Sequence, residues 1–147
     1  MRSIDTSVII HVPPARVLEA FLEQRHLGGW WGVDRSLVEP RPGGLYLLAW
    51  KEGEPGFSYL HTGLVKSYEP GVYLEIEKFS YLNPHRRPLG PMELLLECTP
   101  HIDSTYLHLR QGGYQSGGDW DWFYDVVLES WPKALQRLKD YLERVDR

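Results

Sequence analysis

Hydrophobic and polar positions change their period along the chain. Over residues 119–145 they recur at helical spacing. At about 100° per residue, Trp120, Tyr124, Val127, Trp131, Ala134, Leu135, Leu138, Leu142 and Val145 fall on one side, with Phe123 and Tyr141 at its edge. Asp121, Asp125, Glu129, Lys133, Gln136, Arg137, Asp140 and Glu143 fall on the other. This predicts one long amphipathic helix with Asp119 as its N-cap. Acids open the segment and bases dominate later, as the helix dipole favours. Pro132 deletes one backbone hydrogen bond and predicts a bend near Leu128.

Upstream the chemistry is that of strands and turns. Residues 4–12 are β-branched and partly alternating, which predicts a first strand that Pro13-Pro14 ends. Val17, Leu18, Ala20, Phe21 and Leu22 then fit a short amphipathic helix. A second short piece precedes Trp30-Trp31, limited by Gly28, Gly29 and Gly32. From Ser36 the period becomes two. Strands are predicted over 36–39, 45–50, 57–68, 72–79, 92–99 and 104–111, with Pro- and Gly-rich turns between them. Gly63, in mid-strand, predicts a bulge or a close approach from above. Residues 80–91 form a proline-rich loop. Consecutive strands with short turns make an antiparallel meander, and segregated helices make the class α+β. The expected architecture is a curved antiparallel sheet of six to seven strands, gripped by the long C-terminal helix, with two short helices after the first strand. A single domain spanning 1–147 is expected.

Composition sharpens this picture at three points. Six Trp and nine Tyr in 147 residues imply broad apolar surfaces or a lined pocket. The net charge of −4 and the lack of a basic run argue against a nucleic-acid partner. The one cysteine, Cys98, cannot form an internal disulfide, the start has no apolar signal core, and no 18-residue apolar run occurs. The expectation is a cytoplasmic protein without a membrane span.

Candidate chemistry is sparse. No His pair has metal-ligand spacing, and no nucleophile-elbow or phosphate-loop motif is present, so neither metal nor cofactor is expected. Cys98 follows Leu94 and Leu96 in the alternation and reads as a core residue. Glu75, Glu77, Glu93 and Glu97 alternate with apolar residues, as on a solvated sheet face. Arg41 reads as pinning its own turn. His61 and His108 lie on strands, where either one can face inward as a polar handle. Trp122 falls on the polar side of the helix, covering a loop or contacting another chain, as in a homodimer.

Taken in order, several motifs resemble a known family. They are Ile10-x-x-Pro13-x-x-x-Val17-x-x-x-Phe21, Trp30-Trp31-Gly32, Glu39-Pro40-Arg41-Pro42-Gly43-Gly44-x-Tyr46, Gly63-x-Val65, Glu69-Pro70, Thr105-x-Leu107-x-Leu109 and Trp131-x-x-x-Leu135-x-x-Leu138. Together they resemble the START-like helix-grip (SRPBCC) superfamily, in the branch of the C-terminal domain of the activator of Hsp90 ATPase. The resemblance implies a cavity between sheet and terminal helix. With the aromatic surplus and the lack of a catalytic constellation, it favours a binding module for a small apolar or aromatic ligand, with Trp50, Tyr59, His61, His108, Trp120 and Tyr124 as candidate contacts. It leaves two alternatives: an enzyme of the polyketide-cyclase or aromatase type, with His61 or His108 moving a proton, and an Hsp90-activator-like interaction domain. The loop 80–91 is longer and richer in proline than the family's usual connection.

Overall fold

A computed structural model describes residues 1–54 and 56–145. The chain opens with β1 (Arg2–Ile10) and α1 (Pro14–Glu19). A single turn, α2 (Gln24–His26), then runs into a π-helical turn at Leu27–Trp31. Six strands follow: β2 (Val33–Val38), β3 (Leu45–Gly53), β4 (Gly56–Glu69), β5 (Tyr73–Leu82), β6 (Leu89–His101) and β7 (Ser104–Tyr114). The helix α3 (Gly118–Val145) ends the described chain.

All seven strands form one antiparallel sheet in the order β1-β7-β6-β5-β4-β3-β2. The meander closes by laying β1 beside β7, with Ile4 opposite Gln111 and Ile10 opposite Thr105. The α+β class, the two short helical pieces and the long terminal helix agree with the sequence reading. The strands mostly run longer than the alternation indicated. β5 continues to Leu82 and β6 begins at Leu89, so the proline-rich loop shrinks to residues 83–88.

Irregularities in β4 and β5 bend the sheet around its inner face. The β4–β5 register shifts between Thr62 and Leu64 and again between Val65 and Ser67. Lys78 in β5 sits at φ 53, a conformation that side-chain-bearing residues adopt at bulges. Gly63 meets both expectations at once: it lies at a register shift, and a Cβ there would come within 2.8 Å of Ile76 Cγ2.

The short helices are tied to the sheet through buried polar bonds. The Tyr46 hydroxyl donates to the Phe21 carbonyl at 2.8 Å, and the Trp30 indole donates to the Ala20 carbonyl at 2.8 Å. Burial raises the Tyr46 hydroxyl above its ordinary pKa, so it stays a neutral donor. Gly29 lets α3 come close, because a Cβ there would run into the Tyr141 ring, and His26 Nδ1 lies 2.8 Å from the Tyr141 hydroxyl.

α3 is continuous through Pro132. Its buried residues are Phe123, Trp131, Ala134, Leu135, Leu138 and Leu142. The second half of the predicted face is therefore inward as expected. The first half is rotated: Phe123, placed at the edge by the wheel, is buried, while Trp120 and Tyr124 are half-buried. The helix already begins at Gly118, so Asp119 is not the N-cap. It lies in the first turn and pairs with Arg86, while Asp121 accepts the Gly117 N–H at 3.0 Å.

Candidate functional site

The rotation of α3 opens a cavity of about 320 Å³ between its first half and the sheet. β3 supplies Trp50, β4 supplies Tyr59 and His61, β5 supplies Tyr81 and β7 supplies Gln111. Trp31 enters from the π-helical turn. α3 contributes Trp122, Phe123, Val126, Val127, Ser130, Trp131, Ala134 and Arg137.

Rings build the walls by packing against one another. Trp31 meets Trp50 edge-on at 5.1 Å and lies 5.2 Å from Trp131. Trp50 stacks on Tyr59 at 5.1 Å, and Tyr81 stacks on Phe123 at 4.6 Å. The His61 imidazole lies flat on Phe79, 4.8 Å between centroids and 2° between planes. Rigid rings braced in this way cannot collapse into the space as aliphatic chains would.

The inner polar groups are few. His61 Nδ1 is buried without a hydrogen-bond partner. Loss of water pushes the imidazole pKa down to about 3, which keeps the ring neutral around pH 7. Gln111 is 1% exposed. Its Oε1 accepts from the Trp131 indole at 2.7 Å, which fixes the amide orientation because an indole N–H only donates. The amide nitrogen is left facing the Met92 sulfur at 3.4 Å, a weak acceptor. Ser130 is occupied by the Val126 carbonyl at 2.6 Å. Burial raises the Tyr59 hydroxyl pKa, assisted by nearby Tyr81 and opposed by the Arg137 charge. At the rim, the Arg86 guanidinium lies 3.5 Å over the Trp122 ring and pairs with Asp119 at 2.7 Å. Trp122 thus covers a loop, one of the two roles expected of it.

Three of the six candidate residues meet here: Trp50, Tyr59 and His61. The other three lie elsewhere. His108 is on the outer face, 2.9 Å from Asp5 and 3.7 Å from Glu97. The reason is phase, since Thr105, Leu107, Leu109 and Gln111 take the inward positions of β7. Trp120 and Tyr124 pack edge-on against Tyr114 at 6.2 and 5.2 Å, with the Arg2 guanidinium 4.5 Å from the Tyr124 ring, away from the cavity. The Tyr46 hydroxyl is committed to the Phe21 carbonyl and does not line the cavity. The sequence reading missed Tyr81, Gln111, Ser130 and Arg137 as lining residues. Phase alone places Gln111 inward, two residues beyond Leu109, and Tyr81, two residues beyond Phe79.

Residues outside the cavity behave as their pattern indicated. Cys98 is buried in β6, and burial pushes its thiol pKa up to about 12, which leaves it inert. Glu75 pairs with Lys66 and Arg41 with Glu39 in its own turn. Among the described residues, no three His, Cys, Asp or Glu side chains converge as metal ligands, and no helix is long and apolar enough to cross a membrane.

The profile of the family described as activator of Hsp90 ATPase homolog 1-like protein matches residues 11–143. The chain belongs to that family. Solved structures agree on the helix-grip fold of its members. Protein MLL2253 from Mesorhizobium loti superposes with a TM-score of 0.78 at 20% identity, over 99% of this chain and 100% of that one. The Aha1 dimer from Colwellia psychrerythraea gives 0.73 at 16% identity, over 97% of each chain. CalU16 from Micromonospora echinospora gives 0.68 at 20% identity, over 96% of this chain and 76% of that one. No curated protein matches by sequence.

Proposed function

We propose that the protein is a small-molecule binding module holding an apolar, aromatic ligand between the sheet and the first half of α3. The observation that carries this reading is the 320 Å³ space itself, walled by braced aromatic rings and bordered by the His61 imidazole. The volume lies at the lower end of the range for ligand sites, about 300–1,000 Å³, and the apolar lining with a few polar atoms is typical of them.

Trp31, Trp50, Trp122 and Trp131 line the space, so their fluorescence reports occupancy. A panel of aromatic compounds is expected to change that fluorescence and raise the melting temperature. Both responses are expected to vanish in Ala134→Phe, which fills the space from a residue that is only 3% exposed. A panel without effect on the parent protein overturns the reading.

A cyclase-like enzyme fits the site less well. It would need His61 to take up a proton near neutrality, whereas an imidazole held at about 3 is a poor base there. A chaperone-facing role draws its support from the family match and concerns the outer surface. Binding of purified host Hsp90 that is unchanged in Ala134→Phe would separate that role from the cavity.

A further inference from the structure

The polarity of the cavity is one-sided. No Asp or Glu lines it, and the Gln111 amide is a donor left without a good acceptor. The Gln111 amide is 1% exposed, and Trp131 holds its NH2 away from any oxygen, against a thioether sulfur. At the mouth stands Arg137, an exposed guanidinium on the cavity face of α3. Neighbouring arginines are spoken for: Arg86 pairs with Asp119, Arg35 with Glu52 and Arg2 with Asp121. Among the described residues Arg137 forms no ion pair within 4.0 Å. Asp34, which acts on Tyr59 with the opposite sign to Arg137, accepts the Glu52 N–H at 2.8 Å. His61 is neutral and so adds no charge to the cavity.

Resting on the binding reading above, we infer that the ligand class is an aromatic carboxylate, its rings among the cavity indoles and its carboxylate on Arg137. A guanidinium presents a planar fork of donors that matches a carboxylate, and the pairing strengthens beside low-dielectric aromatic walls. A second oxygen on the ring system would meet the Gln111 amide. A cationic aromatic ligand finds no anion here and is disfavoured by the same arrangement.

Isothermal titration with 2-naphthoic acid and its neutral isostere 2-naphthamide tests this. At pH 7.5 the parent protein is expected to bind the acid about tenfold more tightly, the effect of one charge-assisted contact at a partly open site. Arg137→Gln is expected to erase the preference, weakening the acid far more than the amide, and Arg137→Lys to restore part of it. Because Arg137 is exposed, the variants are expected to fold, which the melting temperature checks. Equal affinity for acid and amide in the parent, or a preference that survives Arg137→Gln, overturns the inference while leaving the binding reading intact. Binding of neither compound overturns the inference, and together with a silent panel it overturns the binding reading too.

Discussion

One helix covers two interiors of opposite character. Beyond Ala134, Leu135, Leu138 and Leu142 are buried to within 2% and pack into a closed core with β1 and the π-helical turn. Gly29 admits the Tyr141 ring there. Before Ala134, the same helix is propped over open space by Trp31, Trp50, Tyr59, Tyr81 and Phe123. Both halves obey the same apolar periodicity. What separates them is the shape of the residues: branched aliphatics close on one another, while rings braced edge to face hold a gap.

The contrast can be broken first at Leu138, which is fully buried in the closed half. Leu138→Ala is expected to cost about 3 kcal/mol in denaturant-induced unfolding, the usual result of emptying a tight site. Gly29→Ala is expected to cost about 1–2 kcal/mol, because the new methyl displaces Tyr141 and disturbs its contact with His26.

In the open half the sign reverses. His61→Phe is expected to stabilise the unliganded protein by about 1 kcal/mol, since it removes a buried nitrogen without a partner and keeps a ring on Phe79. The pH dependence sharpens this. His61 has a folded pKa of about 3, below the unfolded value of roughly 6.5. Between those values the unfolded chain holds the extra proton, so this contribution is complete above pH 6.5 and is lost as the pH falls toward 3. Stability measured from pH 7 down to 4 is expected to fall less steeply in His61→Phe.

The smallest effect is expected from Val127→Ala, at no more than about 0.5 kcal/mol, because Val127 is half-buried and already borders open space. A cost equal to that of Leu138→Ala would mean that the two halves pack alike.

The sequence made the fold readable because alternation and helical period are repeated many times. Seven strands and the 28-residue helix each offer several residues that agree. The site depends on single positions. His108 and Gln111 lie on one strand, and the phase set by Leu107 and Leu109 sends the histidine out and the glutamine in. The helix was harder to read. Trp120 and Tyr124 fit the wheel, yet the first turns follow the bent sheet, and Phe123 takes the inward place. Trp122 and Arg137 had no apolar signal to follow, since they stand where the polar face meets the cavity mouth.

The burial of Cys98 has a practical result. The native chain carries no other thiol, and this one is both shut away and held protonated to about pH 12, so maleimide reagents find little to modify. A cysteine introduced at exposed Arg87, on the loop beside the Trp122 rim, would carry a fluorophore at that position alone.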